Sequence, residues 1–376
     1  VLTTQTHLPI SRPLLNDPET QMKAWRLHGP GGKFSLEEIA IPAPKAGGVV
    51  VRMEAAPVLS YMRRVLDGSL GYALPSGPFT PGTNGIGTVA AVGPQVYHLA
   101  PGQRVALSPH YAVDERAAEP AQILIGLTAM GAQAATLALQ ADWPDGVFAE
   151  FAHLPAACAT PIEAAVAPAR LAAIGKLVVP YGGFLRGGLA AGETVIVNGA
   201  TGFFGAAAVL LALAMGAARV IPAGRDEATL RTLAAVAGDR VRSVQLTGDV
   251  GADAATLRHA SGAGADMALD IVGRATSADS TLATLRGLRR GGRLVLMGSM
   301  TVPLPLTVGE MLANNWSVLG QFMYPKEAIG RLAAMIAAGT LDLGSINLKT
   351  FALADLDQAM DAAAGMRGLD CTVVTI

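Results

Sequence analysis

Glycines at 199, 202 and 205 interrupt an apolar stretch, Val-Ile-Val-Asn-Gly-Ala-Thr-Gly-Phe-Phe-Gly over 195–205. This spacing suits a turn between a buried strand and a helix, where a dinucleotide pyrophosphate can lie. Gly199 takes the tight turn, Gly202 lets backbone N–H groups approach the phosphates, and Gly205 lets helix and strand pack closely. Ala200, Thr201 and Phe203 complete the contact set, and the helix N-terminus adds partial positive charge. About 25 residues on, a second β-type run ends in Gly224-Arg225. No acidic residue stands where one would bind a ribose 2′-hydroxyl, and Arg225 stands where it could meet a 2′-phosphate. The expected cofactor is therefore NADP(H). Arg225 also reads simply as a surface arginine beginning a helix.

Glycines alone can serve loop shape, so the flanking elements matter. The run 194–197 reads as a buried parallel strand. Residues 203–217 read as a helix rich in alanine and leucine. From 193 onward strands alternate with helical patterns: 194–198, 219–223, 243–246, 266–271, 293–297 and 316–321. That alternation predicts a doubly wound parallel sheet. Met297, Gly298 and Ser299 fall at the end of its fifth strand, where ligands bind in such sheets. Before it, 22–27, 34–41, 48–55, 82–92 and 103–107 read as strands, and 124–139 as a helix. The tail, helical over 326–339 and 355–364 and β-type over 371–376, breaks the alternation and is expected to return to the first domain.

The 376 residues suffice for two domains. Net charge is −1, which implies no general attraction to nucleic acid or to an anionic membrane. Apolar residues are 51% and charged residues 15%, which suits a well-buried α/β protein. Residues 202–218 carry no charge, yet the glycine-rich start and the basic strand-like 219–221 favour a buried helix over a span. Two cysteines, Cys158 and Cys371, give no disulfide framework. Residues 1–22 lack a basic start followed by an apolar stretch, so the expected compartment is the cytoplasm. The six histidines (7, 28, 98, 110, 153, 259) show no close ligand spacing. His110 and His153 read as packing groups. Arg286, Arg289 and Arg290 read as a solvated helix end, with a patch for acyl-CoA phosphates as the alternative.

Several stretches, in order, resemble the medium-chain dehydrogenase/reductase superfamily. Pro81-Gly82-Thr83-Asn84-Gly85-Ile86-Gly87 is similar to its Pro-Gly-His-Glu-Gly-x-Gly. Gly102-Gln103-Arg104-Val105 is similar to Gly-Asp-Arg-Val, and Asp145-Gly146-Val147-Phe148-Ala149-Glu150-Phe151 to Asp-Gly-x-Tyr-Ala-Glu-Tyr. Asp270-Ile271-Val272-Gly273 and Gly291-Gly292-Arg293-Leu294-Val295-Leu296-Met297-Gly298 resemble the ends of its fourth and fifth strands, adding Val272 and Gly273 to the expected cofactor contacts. The resemblance implies an α/β chain. A GroES-like mostly-β catalytic domain over 1–165, completed by 325–376, joins a doubly wound Rossmann NADP-binding domain over 166–324 with a six-stranded parallel sheet. It also implies a homodimer paired through the sixth-strand edge, 316–322.

The departures from the family pattern point to a zinc-free, quinone oxidoreductase or enoyl reductase-like branch. Thr83 stands where zinc members have histidine, no cysteine lies near 58–61, and 111–140 lacks the four-cysteine lobe. No metal is expected. Without a Lewis acid, the suited substrate is a small hydrophobic carbonyl compound with a conjugated double bond: a quinone, enone or enoyl thioester. The stretch from 55 to 72 resembles the active-site entry of enoyl reductases, which carries a catalytic tyrosine. Tyr72 matches it if a two-residue insertion follows Gly68, and Tyr61 is the second candidate. Leu59 and Met62 replace that branch's asparagine and aspartate. Val178 and Val179 stand where relatives flank the nicotinamide, with Tyr181 just after. A zinc-free alcohol or ketone dehydrogenase and a non-catalytic NADPH-binding protein are the alternatives.

Overall fold

The computed structural model describes residues 21–376 except 115 and 164. Its second half is a six-stranded parallel sheet of Thr194–Asn198, Arg219–Gly224, Val244–Gln245, Ala265–Asp270, Leu288–Leu296 and Ser317–Gly320. In space the order is third, second, first, fourth, fifth, sixth. Helices cover both faces, so Val195, Ile196 and Val197 are all fully buried and the strands read as unbroken apolar runs. The strand order reverses between Thr194–Asn198 and Ala265–Asp270, so their C-terminal ends open a crevice.

The first half is β-rich. A seven-stranded sheet is built around Gly48–Pro57, which pairs antiparallel with Gly85–Val92, Phe151–Pro155 and the final strand Asp370–Thr375. Asn347–Ala352 pairs parallel with that final strand. The chain's last segment is thus part of the first domain's sheet, and Trp25 Nε1 donates to Leu353 O at 2.7 Å to tie them further. The architecture is a GroES-like β domain with a Rossmann domain.

Residues 124–139 are not one helix. Two short strands, Gln122–Leu124 and Thr128–Ala129, pair with each other, and Gln122–Leu124 also pairs with His110–Ala112; only Ala134–Asp142 is helical. Alanine content there suggested helix, but the Gly126 turn (φ 68°) and cross-strand pairing prevail. The helix Phe203–Ala214 ends three residues before its expected limit. Helix Ile174–Gly187 joins the domains. Its glycine face is tight: a Cβ at Gly183 would strike the Leu269 and Met297 side chains, and one at Gly182 would meet Tyr324. Among the described residues, no helix is long and apolar enough to cross a membrane.

Candidate active site

The glycine turn has the geometry its spacing demands. Gly199 sits at φ 85°, and its N–H and that of Ala200 both donate to Ala223 O, at 3.1 and 3.0 Å. Gly202 is the N-cap of Phe203–Ala214 and makes no side-chain capping bond, leaving the first-turn N–H groups for a ligand. A Cβ on Gly202 would meet nothing closer than Gly199 O at 3.3 Å, so the turn is open on that side. A Cβ on Gly205 would collide with Gly199 O, which explains glycine there. Gly224 is bare because Thr201 Cγ2 would lie 2.7 Å from its Cβ. These residues fit a dinucleotide.

Arg225 is exposed and, among the described residues, makes no ion pair. Asp226, the next residue, is acidic and adjacent to the site, but its carboxylate accepts the Thr229 N–H at 2.7 Å and caps Glu227–Ala237. That hydrogen bond, with Arg367 nearby, holds its pKa below the usual carboxylate range. The capping carboxylate is therefore committed, and the guanidinium before it has no partner among the described residues.

Across the crevice, Asp270 is buried. Its Oδ2 accepts from Asn198 Nδ2 (2.8 Å) and Thr281 Oγ1 (2.7 Å), and its Oδ1 from the Val272 N–H (3.2 Å). Burial pushes its pKa up against those bonds. The Asp270 carbonyl accepts from Met297 N and Gly298 N, and a Cβ on Gly298 would strike Val272 O. The structure thus gathers Val272, Gly273, Met297, Gly298 and Ser299 beside the glycine turn's strand. Val178 and Tyr181 are buried in the joining helix, with Val179 half-buried.

Tyr61 and Tyr72 are also brought close enough for each phenol to perturb the other. Burial raises both phenols above the ordinary tyrosine value, Tyr61 the more. Tyr72 borders an apolar cavity of about 440 Å³ with Ala73, Thr128, Met130 and Leu137, all first-domain residues. A second cavity, of about 390 Å³, lies between the domains. It is lined by His110 and Gln122 from the β domain, Gly182 and Arg186 from the joining helix, and Phe322 and Tyr324 after the sixth parallel strand.

Tyr324 is a residue no sequence motif marks. Its hydroxyl lies 3.0 Å from Ser108 Oγ and 3.4 Å from Asn84 Nδ2, which also donates to Leu107 O at 3.1 Å. Lys176 is another. Its ammonium is wholly buried, donates to Gly368 O (2.7 Å) and Asp370 O (2.8 Å), and sits 4.4 Å from the Phe203 ring centroid. Burial pulls its pKa down to about 8. Gly368 N in turn donates to Thr201 O, linking the buried cation to the glycine turn.

The remaining candidates are occupied elsewhere. Arg286 pairs with Glu310 at 2.7 Å and Arg289 with Asp266 at 2.6 Å. His153 accepts from Lys45 N at 3.1 Å and packs on Trp143.

Thr83 and Asn84 mark the corner where the family resemblance would place zinc. Leu59 is buried, and a Cβ on neighbouring Gly175 would come within 2.9 Å of Asn84 Cβ. Thr83 Oγ1 is buried and makes no hydrogen bond. Among the described residues, no three His, Cys, Asp or Glu side chains gather to hold a metal. Hydroxyl, amide and hydrocarbon groups do not make a zinc site, and the residues here do not fit that ion.

Residues 45–164 match the alcohol dehydrogenase GroES-like domain family, and 204–338 the zinc-binding dehydrogenase family. The chain is 28% identical to the acryloyl-coenzyme A reductase of Metallosphaera sedula, over 80% of this chain and 84% of that one. It is 26% identical to the sorbitol dehydrogenase of Rattus norvegicus, over 91% and 93%. The fold superimposes with TM-score 0.77 on a short chain alcohol dehydrogenase from E. coli CFT073 complexed with NADH, at 20% identity, covering 95% of this chain and 99% of that one. With both domain families matched in order and the whole architecture shared, the chain belongs to the medium-chain dehydrogenase/reductase superfamily of oxidoreductases.

Proposed function

We propose that this protein is an NADPH-dependent, zinc-independent reductase of a conjugated carbonyl compound, such as a quinone, an enone or an enoyl thioester. The observation that carries the proposal is the corner of Thr83, Asn84 and Gly175, which among the described residues offers no metal ligands, in a chain that also carries a dinucleotide-type glycine turn. When bound, the reduced nicotinamide supplies a hydride. A conjugated carbonyl is suited to such a site because it accepts the charge into its own π system, and neutral donors suffice to stabilise it. The exposed guanidinium of Arg225, with Asp226 committed to its helix, supports NADPH over NADH. The acryloyl-coenzyme A reductase relative agrees with a double-bond substrate. The sorbitol dehydrogenase relative favours a second reading, alcohol or ketone chemistry.

The active form is a homodimer. Ser317–Gly320 ends the sheet with an unpaired edge, and the preceding helix Val308–Asn314 buries none of its residues. Val308 and Leu312 are 75% and 70% exposed, an apolar surface that a second copy would cover.

The test is oxidation of NADPH, followed by absorbance, with quinones, enones, enoyl-CoAs, simple ketones and, in reverse, polyols. Turnover confined to conjugated carbonyls, with no zinc by elemental analysis, is expected. Turnover confined to ketones or polyols, or activity lost to a chelator together with stoichiometric zinc, overturns the reading.

A further inference from the structure

The interdomain cavity lacks the two tyrosines that family resemblance favours, since Tyr72 opens on a different one. It does have Tyr324, whose hydroxyl reaches the corner where relatives place metal ligands. The His110 N–H donates to Ser108 Oγ at 3.1 Å, taking one of its lone pairs. The Ser108 hydroxyl has one acceptor within reach among the described residues, the Tyr324 oxygen at 3.0 Å. Asn84 Nδ2 has only protons to give and points at the same oxygen. Tyr324 Oη accepts from Asn84, and either hydroxyl can donate in the Ser108–Tyr324 pair; with Ser108 as the donor, the Tyr324 proton is left for a ligand. Both donors favour the phenolate and work against burial, which still holds the phenol up to about 12. The group therefore stays protonated at neutral pH as a polarised hydrogen-bond donor. Thr83, next in chain to Asn84, adds a buried hydroxyl with no partner. A buried donor left unpaired is costly, and a carbonyl oxygen entering this corner would relieve that cost.

We infer that Tyr324 is the catalytic hydrogen-bond donor of the interdomain cavity, positioned by Ser108 and Asn84 to hold the oxygen of a conjugated carbonyl as it becomes an enolate. The inference rests on the proposed double-bond reduction. As the substrate's β-carbon takes up hydride from the reduced nicotinamide, a C–H bond forms and the C=C pair shifts toward the carbonyl. The carbonyl π pair moves onto oxygen, and the Tyr324 O–H meets that charge. A proton from water then joins the α-carbon, the C=O re-forms, and the nicotinamide is left oxidised. Tyr324 keeps its own proton throughout.

Two readouts separate this inference from the reading beneath it. The first needs no turnover: binding of substituted phenolates, as enolate mimics, to the NADP⁺ complex of the parent, Tyr324→Phe and Tyr72→Phe. The parent and Tyr72→Phe should bind at least about tenfold more tightly than Tyr324→Phe. Equal affinity in all three, or no binding to the parent, overturns the inference. The second is turnover of whichever conjugated carbonyl the parent reduces. Tyr324→Phe should lower kcat by about 10²-fold, the scale of one lost oxyanion donor, with KM and NADPH affinity little changed. Tyr72→Phe should stay within a few-fold. Full kcat in Tyr324→Phe with loss in Tyr72→Phe overturns the inference and leaves the double-bond reading standing. Failure of the parent with every conjugated carbonyl removes that reading, while the phenolate result still decides what Tyr324 binds. The variant should fold, because its ring stays against Gly182 and Asn84 keeps Leu107 O.

Discussion

Replacing Lys176 with methionine should change how stability responds to alkaline pH. The lysine ammonium is fully buried, with no carboxylate at ion-pair distance among the described residues, and is held by two carbonyls and the Phe203 ring. Its pKa falls from the ordinary 10.5 to about 8, with desolvation the main cause. Between those values the unfolded chain holds a proton that the folded chain has released. The cost of burying the charge is therefore fully present below pH 8 and is relieved as pH rises toward 10.5. The full span is worth about 3 kcal/mol, and about 1 kcal/mol of it is recovered between pH 8 and pH 9. Two groups near or beyond this site oppose the gain. Cys371, which faces the lysine with Asp370, is pushed up to about 11, and Cys158 higher still. Both stay protonated when folded while their unfolded counterparts ionise, so each loses stability as pH rises through 9. The parent should accordingly be nearly flat from pH 8 to 9, whereas Lys176→Met should lose about 1 kcal/mol relative to it. Urea unfolding of both proteins at pH 7, 8 and 9 measures the difference directly. Parallel stability curves would show that the ammonium does not titrate in this range and would refute the argument.

Arg225→Ala should weaken NADPH binding about tenfold or more and leave NADH unchanged, by fluorescence titration; an equal effect on both would remove Arg225 from the 2′-phosphate. Gly205→Ala places a methyl against Gly199 O, and should cost roughly 1–3 kcal/mol of stability in thermal melts and weaken both cofactors together. An unchanged melt would mean the turn relaxes freely. Leu312→Glu, on the uncovered helix, should convert a dimeric parent to a monomer by light scattering, and a parent that is already monomeric contradicts the interface.

The parallel sheet and its glycine turn were legible because their signals are local. A few adjacent residues specify strand, turn and helix, and Gly199 (positive φ) and Gly205 (no room for a Cβ) show the steric reason expected. The 124–139 region misled because alanine propensity is weak beside cross-strand pairing. Asp226 does not declare its role in the sequence, because a capping carboxylate and a ribose ligand look alike until the Thr229 bond is seen. Tyr324 could not be read at all. Its partners lie 216 and 240 positions away, and their meeting depends on the completed sheets rather than on any short pattern. Lys176 is hidden likewise: in sequence it is a lysine in an apolar helix, and only its carbonyl partners nearly 200 positions on explain its burial.

The pairing of Val373–Thr375 with Ala55–Pro57 has a consequence for how the chain is made. The central strand of the β domain leaves the ribosome well before the strand that closes its Ala55–Pro57 end. With about 300 residues between them and synthesis at ~5–20 residues per second, that edge waits on the order of 15–60 s. During that interval the parallel-sheet domain, whose strands are contiguous in sequence, can form first. The nascent β domain meanwhile shows Ala55, Ala56, Pro57 and Val58 along an unclosed border, the kind of surface that recruits holding chaperones or a neighbouring nascent chain.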